Sequence, residues 1–248
     1  MFVMASSSCN TVTIDIDTGS TTTTRKWQMK VTQYECGSMM MPDNNCLQYH
    51  TAVSGTIASF NWDTTATTVA ATQYHLSSQF YNICIRRARS FCSVCYQPVI
   101  TTATISYGLG GGNPPAGTSA DALNAVGSLC TGIDVASTTA ANERAFGDYL
   151  EIVNAQSPAS PTAGAGVLGI NRMCGQQWNS IMPSTFPVAV VTVCSWSVPF
   201  KVGVHFNENE LVLAPGGTAT ANHENFGPVA LFGWGYSGFY LSYWQGSC

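Results

Sequence analysis

The sequence predicts an all-β fold, an antiparallel sandwich or barrel stapled by disulfides. Three observations carry that expectation. Short segments of alternating apolar and polar residues recur along the chain, Gly- and Pro-rich turns separate them, and ten cysteines run from Cys9 to Cys248. A strand shows successive side chains to opposite faces, so a period of two buries one face and wets the other. Many such segments at irregular spacing are the pattern of sandwiches and barrels.

The elements follow in order. Val12, Ile14 and Ile16 alternate with Thr and Asp, and Trp27, Met29 and Val31 alternate with Gln28, Lys30 and Thr32. With the Thr18-Gly-Ser turn between them they predict an N-terminal hairpin, with Cys9 and Cys36 placed to staple its open ends. Further strands are predicted at 55–62, 81–86, 92–96, 149–153, 200–206 and 239–244. In 200–206 the face is Phe200, Val202, Val204 and Phe206. In 239–244 the alternation puts Tyr240 and Trp244 opposite Phe239, Leu241 and Tyr243. Helix is scarce, with short candidates at 119–128 and 138–146. These lie in an insertion near 108–147, and two further insertions near 154–170 and 211–230 read as loops rich in Ala, Pro, Gly and Thr.

Composition narrows the function. Only 9% of the 248 residues are charged, with 9 Lys+Arg against 13 Asp+Glu, where an ordinary domain carries roughly 25%. So few scattered cations build neither a nucleic-acid face nor a polybasic membrane patch. The cluster Arg86-Arg87-Ala-Arg89 reads as the cover of a turn. No apolar run approaches the length of a transmembrane helix. An even set of cysteines over the whole chain indicates a disulfide framework and a secreted protein. Cys92-Ser-Val-Cys95 lacks the second pair that a zinc ribbon needs and the following helix that a thioredoxin-like motif needs. Met1 to Ser8 is too short for a signal peptide, so either the true start lies upstream or this is a mature or recombinant chain.

A family resemblance comes from several stretches together. Lys26-Trp-Gln-Met-Lys-Val-Thr-Gln-Tyr-Glu-Cys36, Cys46-Leu-Gln-Tyr-His-Thr, Gly55-Thr-Ile-Ala-Ser-Phe-Asn61 and His75-Leu-Ser-Ser-Gln-Phe-Tyr-Asn-Ile-Cys-Ile-Arg-Arg87 resemble the CUB-domain proteins abundant in arthropods. Asp148-Tyr-Leu-Glu-Ile, Asn171-Arg-Met-Cys-Gly175, Pro199-Phe-Lys-Val-Gly-Val-His-Phe206 and Gly238-Phe-Tyr-Leu-Ser-Tyr243 are similar to the later CUB strands, in order. The resemblance implies a secreted jelly-roll β-sandwich used for binding or assembly. It implies a Cys46–Cys84 disulfide and a Cys130–Cys174 disulfide. It also divides the chain into residues 1–36, similar to the tail of a preceding CUB-like domain or added strands, and a CUB-like sandwich at 37–248. Many CUB domains hold calcium, and Asp148 matches one of their ligands. The other positions do not match: 97–129 contains no glutamate and the late position reads Asn207-Glu-Asn-Glu210. The expectation is therefore no metal and no cofactor, with Asp148 and Glu208 as the residues on which calcium would have to converge.

No hydrolase or phosphate-loop motif is present, and the four histidines read as surface or packing residues, so no catalytic residue is assigned. The aromatic concentration near the C-terminus supplies the candidate interface, Trp234, Tyr236, Tyr240 and Trp244. Aromatic patches are enriched at interfaces, and low charge removes the repulsion that keeps copies apart. The expected partner is therefore the chain itself, in an oligomer or fibre, or another extracellular protein. The alternative is a monomeric recognition module for a protein or glycan, with or without calcium.

Overall fold

The computed structural model describes residues 30–35, 38, 41–42, 45–68, 75–100, 106–109, 148–156, 170–173, 178, 192–207 and 237–248. These residues hold ten strands and no helix. They are β1 (Cys46–His50), β2 (Ser54–Ala58), β3 (Gln79–Ile85), β4 (Phe91–Pro98), β5 (Tyr107–Gly108), β6 (Tyr149–Ala155), β7 (Ile170–Met173), β8 (Val193–Ser195), β9 (Phe200–Phe206) and β10 (Gly238–Ser247). One sheet has the order β1-β3-β9-β6-β7, and the other the order β2-β10-β4-β8 with β5 also pairing β10. All their pairings are antiparallel, as expected of such a sandwich, except β1 with β3, which is parallel.

The two inner faces make one core. Phe200, Val202, Val204 and Phe206 of β9 meet Tyr81, Ile83 and Ile85 of β3 and Leu150 and Ile152 of β6. Phe239, Leu241 and Tyr243 of β10 come in from the other sheet with Val94 and Tyr96 of β4. Each such side chain contributes about 1.5–3 kcal/mol on burial, which is why the period-two pattern fixes which face turns inward. Tyr240 and Trp244 lie on the outer side of β10, as the alternation requires.

Disulfides hold the edges. Cys46 is joined to Cys84, tying β1 to β3. Cys92 is joined to Cys248, and Cys95 to Cys194, its facing residue on β8. Neither of these two pairings was assigned from sequence. Cys9, Cys36, Cys130 and Cys174 lie outside the described residues.

Several boundaries differ from expectation. Residues 30–35, predicted to carry the second hairpin strand through Val31, form no strand and are exposed, Val31 to 86%. The rest of the hairpin lies outside the described residues. The strand expected over 55–62 ends at Ala58, because Asn61 has a positive φ of 69° and Trp62 N–H donates back to the Ser59 carbonyl. The loop expected at 154–170 begins later: Asn154 and Ala155 belong to β6, and Gln156 bridges Cys194. The helices expected at 119–128 and 138–146 and the insertion at 211–230 lie outside the described residues. So does the 108–147 insertion, except for Gly108, which is in β5, and the buried Leu109.

Candidate functional site

The outer face of the first sheet carries a lattice of polar and aromatic side chains. Register places Phe80, His205 and Tyr149 in one row across β3, β9 and β6, and Asn82, Gly203, Glu151 and Arg172 in the next. Phe80 is 68% exposed and meets the His205 ring edge-on at 5.9 Å. His205 stacks on Tyr149 at 4.4 Å with 12° between planes, and the Arg172 guanidinium lies 4.5 Å from the Tyr149 ring centre. Such ring and cation contacts are worth about 0.5–1.5 kcal/mol each. Gly203 makes the arrangement possible. A Cβ there would sit 3.2 Å from both Glu151 Cβ and His205 Nε2, so its absence lets these side chains close over the strand.

The electrostatics of this face are set by burial and neighbours. Half-burial holds the His205 imidazole below its ordinary value; Glu151 pulls it back up, while Arg172 and Lys201 push it further down. His205 is accordingly neutral at neutral pH, and its 3.8 Å approach to Glu151 is a polar contact without a full charge pair. Arg172 and Lys201 leave the face with more positive than negative charge, in a chain whose formal net charge is -4.

The outer face of the second sheet is different. Ser54, Trp244, Cys95 and Cys194 form a row across β2, β10, β4 and β8, with Ser93, Gln97, Ser242 and Gly246 around them. None of these side chains is ionisable in the folded protein, Cys95 and Cys194 being joined. Trp244 is 36% exposed, and Trp196, two residues beyond Cys194, is 51% exposed. Of the interface residues expected from sequence, Tyr240 packs with Trp62, Ile100 and Ala58 in a small cluster of its own. Trp234 and Tyr236 lie outside the described residues. Phe80, Tyr149, Arg172 and His205 were not singled out together in the sequence, because only strand register brings them side by side.

A third feature lies at one end of the sandwich, where β6 begins and β9 ends. His75 and Asp148 have fully buried side chains, with Nε2 and Oδ2 3.1 Å apart. Their angle falls outside hydrogen-bond geometry, so the contact is electrostatic in the main. Asp148 Oδ1 accepts the Asn207 N–H at 2.7 Å, and His75 packs on Phe206 with ring centres 4.1 Å apart.

Residues 43–246 match the family model of the animal CUB domain. The chain belongs to the animal CUB-domain family. None of the curated proteins matches it. CUB domains are in general non-enzymatic modules that mediate protein interactions, and animal ones are typically extracellular. The three disulfides accord with such an oxidising compartment. No helix among the described residues is long and apolar enough to cross a membrane.

Against the calcium that many CUB domains hold, Asp148 does not fit. A calcium ion draws six to eight oxygens about itself. Here one carboxylate oxygen is taken by a backbone N–H and the other faces an imidazole, both in a fully buried setting. No group of three or more His, Cys, Asp or Glu among the described residues is placed to hold a metal. Glu208 lies outside the described residues.

Proposed function

We propose that this CUB domain is a secreted, non-enzymatic binding module that takes an acidic segment of another extracellular protein on the outer face of its first sheet. The carrying observation is the exposed Phe80 ring set beside the His205–Tyr149–Arg172 stack, with Lys201 nearby. An exposed aromatic next to an arginine is the composition enriched at interface centres. Arg172 and Lys201 supply donors for carboxylates, and Phe80 supplies apolar contact, with the buried Tyr149 ring supporting His205 and Arg172. A phage library of acidic and neutral peptides tests this. The wild-type chain should enrich acidic, aromatic-containing sequences, and a Phe80→Ser/Arg172→Ala variant should enrich none of them. Equal enrichment by both, or none by the wild type, overturns it.

A second reading keeps the assembly expectation, and its specific support is the uncharged outer face of the second sheet with Trp244 and Trp196 exposed. There Trp244, with Trp234, Tyr236 and Tyr240 near it in sequence, joins copies into an oligomer or fibre. Light scattering and negative-stain imaging over a concentration series decide between the two. Growth of regular particles favours assembly, and a monomer throughout removes it. The division of the chain at residue 37 is part of the proposal, supported by a family match that starts at residue 43.

A further inference from the structure

We infer that the His75 ring fills the space beside Asp148, the residue that matches a calcium ligand of the family, so that this domain closes that end of its sandwich without calcium. A buried carboxyl group is retained only where partners compensate its loss of water. His75 Nε2 lies 3.1 Å from Asp148 Oδ2 with both side chains fully buried. The other ring nitrogen, Nδ1, is 3.3 Å from the Leu76 carbonyl.

The pair joins several strands. Asp148 opens β6, and its second oxygen takes the N–H of Asn207, which follows β9. The Asn207 carbonyl in turn accepts the N–H of Ser78, just ahead of β3. On the fourth side Gly238, which opens β10 with φ +83°, packs so closely that a Cβ there would strike Ser59 Oγ and come within 3.1 Å of His75 Cβ. A metal ion at Asp148 would have to displace the imidazole from this packing. The imidazole does by packing what a metal does by coordination.

The test uses the whole chain, first as thermal unfolding in EDTA and in millimolar calcium. It adds terbium emission as a direct metal probe. Expected are a Tm unchanged to about 1 °C and no terbium emission that Asp148→Asn removes. A calcium-raised Tm or terbium emission lost in Asp148→Asn would each overturn the inference. His75→Leu and Asp148→Leu should each lower the Tm by about 10 °C, because each leaves a lone buried partner. The double variant should lose clearly less than the sum, and an additive loss would also contradict the pairing. Where the single variants fail to fold, the Tm in calcium and the terbium emission of the wild-type chain decide.

Discussion

The outer faces of the two sheets are built by the same alternation on strands of similar length, yet they hold opposite chemistry. On the first sheet, an exposed Phe80 and a stacked His205–Tyr149 pair stand with Arg172 and Glu151, and Lys201 lies further along β9. On the second, a disulfide and two exposed tryptophans sit among serines, glutamine and glycine. In a chain with only 9 lysines and arginines, where the charges fall discriminates more than how many there are. The charged face can select a partner by complementarity and register. The neutral face can attract only by apolar area, with nothing to repel a second copy.

The comparison is broken most severely at the neutral face. Cys95→Ser/Cys194→Ser opens a 99-residue link, and should cost about 4 kcal/mol in denaturant unfolding while acidic-peptide binding by the remaining folded protein persists. Gly203→Val comes next. Its side chain drives Glu151 and His205 apart, for a loss of about 1–3 kcal/mol and of peptide binding in calorimetry. Phe80→Ser and Trp244→Ser sharpen the contrast at little structural cost, each within about 1 kcal/mol in stability. Phe80→Ser should abolish peptide binding and leave light scattering unchanged, and Trp244→Ser should do the reverse if copies associate.

The smallest effect is that of pH. Burial holds His205 and His50 below the ordinary 6.5 in the folded chain. The unfolded chain therefore takes up protons first as the pH falls. Stability from these groups is complete above 6.5 and is lost as the pH drops through the lower folded values. A series of melts between neutral and mildly acid pH should show this decline, and His205→Gln should make it shallower. A decline on raising the pH instead would contradict the assignment.

The strand alternation of 200–206 and 239–244 made the core legible in the sequence, because large side chains at every second position leave one choice of inward face. The strands β5 and β8 were not legible, since two or three residues offer too few alternations to distinguish from loop, and β7 was legible only through the family likeness of Asn171–Gly175. The Cys92–Cys248 and Cys95–Cys194 pairings depend on which strands become neighbours, which no local pattern encodes. The same holds for the candidate face. Phe80, Tyr149, Arg172 and His205 come from four separate strands and meet only through register. Asp148 was visible as a family position, while its partner His75 was not, because nothing in the sequence between them announces a contact.

The most direct test titrates an enriched acidic peptide into the wild-type chain and follows two NMR reporters, the His205 imidazole on the first sheet and the Trp244 indole N–H on the second. Binding at the charged face predicts a saturable shift of His205 with Trp244 unmoved. A saturable shift of Trp244 with His205 unmoved would place recognition on the neutral face and contradict the account.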